Sequence, residues 1–130
     1  MLVSVTRLRL RSLWFLLPFA VRASQIRKQA QATPGCLGVQ VRKTRALAFW
    51  TLSLWEGEES LRTFLSQSPH VDVMPRLSSW CDEAATTHWV VVPREMPNWE
   101  QATQQLLKGG RLLHVDHPSE AHRQRRISVT

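Results

Sequence analysis

The sequence has no tyrosine, one asparagine and only two cysteines among its 130 residues. Cys36 and Cys81 lie far apart and form no CxxC spacing, so neither a disulfide framework nor a cysteine-based zinc site is predicted. The longest apolar run has about ten residues, well short of the ~20 that a membrane-spanning helix needs. A glycine-rich phosphate loop and a flavin or nicotinamide fingerprint are also missing, so no such site is predicted.

Acidic residues are absent from residues 1–55, which hold nine of the 17 lysines and arginines. All ten acids lie from Glu56 onward. The tail carries a second basic cluster, formed by Arg111, Arg123, Arg125 and Arg126. The net charge of +7 permits nucleic acid, anionic lipid or an anionic ligand as partner. No RNA-binding aromatic motif or helix-turn-helix accompanies this charge, so no specific nucleic-acid partner is predicted.

The N-terminus has features of a targeting segment. Residues 7–24 combine a basic start, an apolar run and small residues, as a signal peptide does, and an acid-free, arginine-rich start is also typical of mitochondrial presequences. Two patterns argue against removal: residues 2–10 alternate as a strand does, and the apolar run continues into a polar helical stretch at 22–32. We therefore predict that this segment is part of the fold and that the protein is cytoplasmic.

Hydrophobic periodicity divides the chain into alternating extended and helical segments. The first predicted elements are a strand at 2–10, a helix from the Ser12 N-cap to about Ala32, and strands at 36–42 and 45–55 joined by a Lys43-Thr44 turn. A helix from Glu56 follows, and a second helical piece runs from Ser68 to about Ala84. The last elements are a strand at 86–92, which Pro93 and Pro97 end, and a short helix at about 98–108. Pro18 either kinks the first helix or marks its first turn. The predicted buried side of this helix carries Leu13, Leu16, Leu17, Ala20, Ala23 and Ile26.

The strand predicted at 45–55 is apolar on both faces, with Trp50 and Trp55 on opposite sides, so both of its faces should be covered. The order β-α-β-β-α-β predicts an α+β, ferredoxin-like fold whose helices cover one face of a four-stranded antiparallel sheet. We assign residues 1–93 to this domain and 94–130 to a C-terminal helical extension and basic tail. In this division no element covers the second face. The sequence therefore predicts a homodimer with two sheets packed together and a cavity or core between them.

Recognisable motifs lie within residues 49–89, at residues 49–56 followed by 58–64 and at Ser68-Pro69-His70. The first two segments resemble the third strand and second helix of antibiotic-biosynthesis-monooxygenase-like proteins, and Ser68-Pro69-His70 resembles the Ser-Pro-His element of that family. Residues 74–77, 80–84 and 88–89 resemble an uncharacterised bacterial branch of the group. The general layout is also similar to spheroidene-monooxygenase-like proteins. The resemblance implies a dimeric α+β barrel that binds a hydrophobic aromatic or polyene molecule.

The resemblance leaves the chemistry open. The family includes cofactor-free quinol monooxygenases, haem-degrading enzymes and proteins with no known activity. Its quinol-oxidising and haem-degrading members use an asparagine on the first strand, where this sequence has Ser4 and Thr6. Three hypotheses follow: a cofactor-free oxygenase whose substrate supplies the electrons, a haem protein with His70 as axial ligand, or a non-catalytic carrier of a small apolar ligand. No metal site is predicted, and haem is the one cofactor considered.

Two histidines and four tryptophans are the main candidate site residues. His70 and His88 are the catalytic candidates because imidazole can move a proton near neutral pH, although a lone histidine is more often structural. The candidate substrate-binding residues are Thr6, Trp50, Trp55, Trp80 and Trp89. Because Trp50 and Trp55 lie on opposite strand faces, at most one of them can face the cavity. Cys81 is expected to be buried and inert.

Overall fold

The computed structural model describes residues 1–92 and 96–129. The strands are Leu2–Leu10 (β1), Cys36–Lys43 (β2), Ala48–Trp55 (β3), Cys81–Val90 (β4) and Arg111–Leu112 (β5). The helices are Leu16–Ala32 (α1), Glu58–Ser66 (α2), His70–Trp80 (α3), Trp99–Gly109 (α4) and Glu120–Arg123 (α5), with a 3-10 turn at Leu13–Phe15. The strand predicted at 86–92 ends two residues early, since β4 runs only to Val90. Pro93 and the predicted domain boundary between 93 and 94 lie outside the described residues.

The described strands form one antiparallel sheet in the order β2-β3-β1-β4-β5. The first four strands have the ferredoxin-like arrangement, so the predicted fold class is confirmed. The predicted four-strand count is one short, because Arg111 and Leu112 add a short fifth strand beside β4. The central strand β1 pairs with β3 on one side and with β4 on the other, over almost its whole length.

The helices α1, α2 and α3 cover one face of the sheet, and α4 covers the other. Val3, Val5 and Trp50 of the sheet form a core cluster with Ala102 and Leu106 of α4. Both α4 side chains are fully buried. The prediction that no element of the chain would cover this face is therefore wrong, and the homodimer loses the physical reason from which it was predicted.

The sequence around α4 explains why this helix forms and docks. Asn98 and Gln101 form a reciprocal capping box: the Asn98 side chain accepts from the Gln101 backbone N–H, and the Gln101 side chain accepts from the Asn98 backbone N–H. Ala102 and Leu106 are four residues apart and lie on one side of the helix. Ser119, further along the tail, donates a hydrogen bond of 2.6 Å to Glu83 of β4. The C-terminal extension is thus built onto the sheet.

The rotation of α1 about its axis differs from the prediction. Phe19 and Ala30 are buried and Phe15 is half-buried, whereas Leu13, Leu17 and Ala20 of the predicted buried side are exposed. Aromatic contacts account for this rotation, because Phe19 packs on Phe49 at a ring distance of 4.8 Å and Phe15 stacks on Trp80 at 6.4 Å. Ser12 was predicted to cap the long helix, but it caps the 3-10 turn that precedes α1. Pro18 lies in the first turn of α1 without breaking it.

Two strand boundaries were also predicted wrongly. Residues 81–84 were expected in a helix but belong to β4, where Asp82 binds Arg9 and Glu83 binds Arg7 of β1. These ion pairs across the sheet favour the strand. Residues 45–47 were expected in a strand, but Ala46 and Leu47 have positive φ angles of 57° and 64°. Such left-handed residues make a turn, so β3 begins only at Ala48.

Candidate functional site

A cavity of about 400 Å³ lies between the sheet and the helices α1, α2 and α3. Its volume falls within the range of small-molecule sites. The apolar part of its wall includes Leu2, Phe19, Ile26, Phe64, Val73 and Leu77. Side chains alternate between the two faces of a strand, so only every second residue of β1 and β3 reaches this cavity.

Two rows of polar residues cross the sheet at the floor of the cavity. In the first row, Thr6 of β1 is paired with Thr51 of β3 and with Thr86 of β4. In the second row, Ser4 is paired with Ser53 and with His88. All six residues line the cavity. We call them the polar band; the strand register places it across the middle of an otherwise largely apolar space.

The hydrogen bonds of the threonine row decide what Thr6 can offer a ligand. The Thr86 hydroxyl donates to the Val5 carbonyl at 3.0 Å, and its oxygen lies 3.0 Å from the Thr6 hydroxyl. Because a hydroxyl has one hydrogen and a carbonyl only accepts, Thr6 must be the donor to Thr86. The Thr6 oxygen is then left with acceptor capacity.

Trp55 forms a flat wall at one end of the polar band. Its ring is fully buried and stacks on Phe64 at 5.2 Å. Its indole N–H donates to the Ser53 hydroxyl at 2.9 Å, so this donor is already used within the protein. The flat face and the satisfied N–H make Trp55 an apolar contact surface.

His70, the first residue of α3, is held by contacts with two neighbouring elements, α1 and α2. Its backbone N–H donates to the Gln29 side chain at 2.8 Å, and its ring packs on Phe64 at 4.8 Å. The ring atom Nδ1 lies 3.2 Å from the Leu65 carbonyl oxygen. A carbonyl only accepts, so Nδ1 carries the hydrogen and Nε2 keeps its lone pair.

Burial lowers the pKa of His70 below its ordinary value of 6.5, and the hydrogen bond to Leu65 opposes this effect only in part. The imidazole is therefore neutral at neutral pH. A neutral ring with Nδ1–H bonded to the protein can use Nε2 as a proton acceptor or as a metal ligand.

Gln29 of α1 is a positioning residue that sequence reasoning missed. Besides accepting from His70, its side-chain amide donates to the carbonyls of Phe64 and Gln67, at 3.0 and 3.1 Å. One side chain therefore fixes the turn between α2 and α3 against α1. No local sequence signal marks it, since glutamine is common on helix surfaces and its three partners are distant in sequence.

The remaining polar residues of the cavity wall are mainly cationic. The arginines that line the cavity are Arg22, Arg27, Arg62 and Arg111. Glu58 is the only acid among the described lining residues, and its carboxylate is 2.7 Å from Arg62 in an exposed pair. Sequence reasoning missed this set as well, because it comes from three separate segments.

The sequence matches the family model of a domain of unknown function, DUF3291, over residues 16–119. The chain belongs to the DUF3291 family. The matched span includes His70, His88 and most of the cavity wall. No curated protein matches this sequence significantly.

Several solved structures share the fold of this DUF3291 chain. A putative antibiotic biosynthesis monooxygenase from Nitrosomonas europaea is 9% identical, with a TM-score of 0.64 over 72% of this chain and 100% of that chain. Another from Deinococcus radiodurans is 16% identical, with a TM-score of 0.62 over 75% and 99%. SnoaB, a cofactor-independent oxygenase from Streptomyces nogalater, is 13% identical, with a TM-score of 0.57 over 73% and 94%. The resemblance to the monooxygenase-like group is confirmed at the level of the fold.

The structure brings together four of the seven predicted site residues. Thr6, Trp55, His70 and His88 line the cavity of the DUF3291 chain. The other three do not reach it: Trp50 and Trp89 belong to the core under α4, and Trp80 packs beside Phe15. Trp50 and Trp55 do lie on opposite faces, as predicted. The expected position of the cavity is corrected too, since it lies between the sheet and the helices of one chain.

Cys81 does not contribute reactivity to the site. Burial, together with the nearby charge of Asp82, raises the pKa of its thiol to about 12, and the side chain is fully buried as predicted. Within residues 1–92 and 96–129, no three histidine, cysteine or acidic side chains are placed to share a metal ion.

Proposed function

We propose that this DUF3291 chain is a monooxygenase-like protein that binds a hydrophobic aromatic or polyene molecule in the cavity between the sheet and the helices. The observation that carries the proposal is the combination of an apolar wall, with Trp55 stacked on Phe64, and a polar band across the middle of the floor. Such sites bind flat apolar molecules and orient them through a few polar contacts. The structural neighbours whose names include monooxygenase or oxygenase also support a monooxygenase-like function.

The polar groups of the cavity favour a ligand with hydroxyl groups. The hydrogens of Thr6, Thr86 and Trp55 are donated within the protein, and Nε2 of His70 has only a lone pair. A ligand hydroxyl can donate to these acceptors, whereas a ligand carbonyl would have to accept from the arginines of the cavity wall instead. A phenol or a hydroxylated polyene fits this requirement best.

If the protein is catalytic, His70 is the base. Nε2 accepts the phenolic proton, which makes the ring richer in electrons and easier to oxidise. Oxidation of the phenol to its para-quinone balances with dioxygen alone. One oxygen atom bonds to the ring carbon, and the other leaves as water with the ring hydrogen and the hydroxyl hydrogen. The substrate supplies all the electrons in this scheme.

The test is ligand binding and oxygen uptake with a panel of polycyclic phenols and hydroxylated polyenes. Wild type, His70→Gln and Thr6→Val are compared with His114→Ala, which changes an exposed histidine in the tail. We expect the ligand affinity of His70→Gln and of Thr6→Val to fall by about tenfold or more, because each loses a hydrogen bond to the bound ligand. The affinity of His114→Ala should be unchanged. Equal binding by all four proteins would overturn the proposal.

A second candidate function is non-catalytic binding of the same class of ligand. The observation that favours it is the lack of a free carboxylate among the described lining residues, since Glu58 is engaged with Arg62. His70 then has no acid partner for a proton relay. Saturable binding without oxygen consumption would favour this function over catalysis.

Haem is the remaining alternative. Nε2 of His70 would bind the iron of a haem, and the arginines of the cavity wall would bind its carboxylate groups. Bound haem would supply redox chemistry that this chain's own side chains lack. Titration with haemin should give a sharp Soret band that is lost in His70→Ala if haem binds, and a featureless spectrum removes this alternative.

The predicted homodimer and cytoplasmic location stay predictions. The cavity is lined by one chain, so the proposed binding does not require a second copy. None of the helices in the described residues is long and apolar enough to cross a bilayer. Cys36 and Cys81 are both free thiols, which accords with a reducing compartment.

A further inference from the structure

The outward side of the first helical segment carries large apolar side chains that no other part of the described chain covers. Trp14 is 89% exposed, Leu17 75%, Leu13 70% and Val21 49%. We call these four residues the α1 outer face. We propose that the α1 outer face docks this protein on the surface of an anionic lipid bilayer.

The four residues form one patch. Leu17 and Val21 are four residues apart in α1 and lie on the same side of that helix. Leu13 and Trp14 belong to the 3-10 turn that leads directly into α1, four and three residues before Leu17. Pro18 and Ala20, between them, are exposed as well. Single exposed apolar residues are normal on proteins, but a contiguous patch marks an interaction site.

The charges around the patch are all positive on its own segment. Residues 1–55 contain no acid. Arg11 lies just before the patch, where its guanidinium is 4.6 Å from the Phe15 ring and donates to the Ser79 carbonyl. Lys28 is exposed further along α1. An apolar helix face with tryptophan and flanking cations is typical of segments that lie in the interface of anionic membranes.

The same charges argue against a second copy of the chain as the occupant. Two such faces packed together would bring two acid-free, basic segments into contact, and like charges across an interface oppose association. An anionic bilayer supplies the opposite charge and an apolar layer at once. Because no helix of the described residues can span a membrane, the helix would lie in the plane of the bilayer surface.

The inner side of α1 connects the proposed membrane-docking surface with the cavity. Phe19, Ala23 and Ile26 of the same helix line the cavity. A bilayer docked on the outer side is therefore one helix away from a cavity with a largely apolar wall, and apolar molecules dissolve in membranes. The docking itself does not depend on the proposed function, because it rests on the exposed residues and their charges alone.

The experiment is co-sedimentation of the full chain with vesicles of phosphatidylcholine, with and without phosphatidylglycerol. The test variant is Trp14→Ser/Leu17→Ser, which removes apolar area and keeps the charge. Its matched control is Val90→Ser/Val92→Ser, at side chains that are 75% and 92% exposed elsewhere on the surface. Thermal unfolding confirms that both variants are folded, as expected for exposed positions.

We expect wild type and control to bind vesicles containing phosphatidylglycerol, more weakly at high salt, and the test variant to bind about tenfold more weakly or less. Lys28→Glu should weaken binding as well. Equal binding by the test variant would overturn the proposal and assign the effect to net charge alone. Absence of vesicle binding would also overturn it. If the wild type has twice the mass of one chain and the test variant has the mass of one chain, the α1 outer face binds a second copy instead of a bilayer.

Discussion

At the scale of residues, burial sets the protonation state of His70. The ring packs on Phe64 and gives its Nδ1 hydrogen to Leu65, so only Nε2 is left for a ligand. A lowered pKa keeps Nε2 unprotonated through the neutral range. The cavity thereby presents an acceptor at its wall as well as on its floor.

The protonation of His70 is therefore expected to control ligand affinity. Below its lowered pKa, Nε2 gains a hydrogen and no longer accepts from a ligand hydroxyl, so affinity should fall as the pH falls through that value. The measurement is ligand affinity against pH, with an NMR titration of the imidazole assigned by comparison with His70→Gln. A pKa at or above 6.5 would contradict this account.

A second residue-scale prediction concerns the buried pair of Arg7 and Glu83, whose charged atoms are 2.8 Å apart. Glu83→Ala removes this carboxylate from beside the buried Arg7 guanidinium, and we expect the free energy of unfolding to fall by about 3 kcal/mol. The matched control is Glu58→Ala in the exposed pair with Arg62, where a loss of less than ~1 kcal/mol is expected. Urea unfolding measures both, and equal losses would contradict the argument.

The pair of Arg7 and Glu83 also predicts that the stability of the fold depends on pH. Burial alone would raise the pKa of Glu83, but hydrogen bonds from Ser119 and Arg7, with the charges of Arg9 and Arg7, outweigh it and hold the pKa below its ordinary value of 4.5. A depressed carboxyl pKa stabilises the fold at pH above the unfolded value. This stabilisation should be lost as the pH falls through the lower folded pKa, and Glu83→Ala should lack that part of the acid loss.

At the scale of elements, Gln29 joins α1 to the turn between α2 and α3. Gln29→Leu leaves the Phe64 and Gln67 carbonyls and the His70 N–H without this partner. We expect a loss of about 1–3 kcal/mol in the free energy of unfolding, and a shift in the His70 titration. Gln31→Leu, at an exposed position of the same helix, is the control and should change neither.

The α4 helix offers a comparison between neighbouring leucines. Leu106 is fully buried against the sheet, whereas Leu107 is largely exposed. Leu106→Ala should lower the free energy of unfolding by about 2–5 kcal/mol because it opens a cavity in the core under α4. Leu107→Ala should cost less than ~1 kcal/mol. Similar losses in the free energy of unfolding, measured with urea, would mean that α4 does not stabilise the fold by covering the second face of the sheet.

Element order was predictable from the sequence, and element orientation was not. Alternation identified β1 and β2 and both faces of β3, which was enough for the ferredoxin-like order. The buried side of the first helical segment was predicted wrongly because apolar residues surround its N-terminal half, where Leu13 and Leu17 are as apolar as Leu16. The docking of α4 also depends on contacts with strands far away in the chain.

The candidate site was predictable only in part for the same reason. Alternation predicted that at most one of Trp50 and Trp55 faces the cavity, but it did not tell which one. The polar band depends on the register that pairs Thr6 with Thr51 and Thr86, and a single-residue shift of one strand would have sent its side chains to the other face. Register follows from the packing of the whole sheet, which no local pattern contains.

At the scale of the whole molecule, one chain covers both faces of its own sheet. Light scattering of the protein in solution without lipid tests the predicted homodimer, since a mass equal to that of one chain, 15.0 kDa, would contradict it. A mass of twice that value would mean that a second copy binds at another surface, such as the outer edge of β2. Comparison with Trp14→Ser/Leu17→Ser would then show whether the α1 outer face is that surface.

The helix α4 takes the place that a partner could otherwise occupy, and this affects how the protein responds to dilution. A fold that depends on a second copy loses stability as the protomer concentration falls, because dissociation and unfolding are coupled by mass action. Here the covering helix is covalently attached, so its effective concentration at the sheet does not change on dilution. The midpoint of thermal unfolding should therefore be the same at nanomolar and micromolar protein, and a cell would need no minimum copy number to keep this sheet covered.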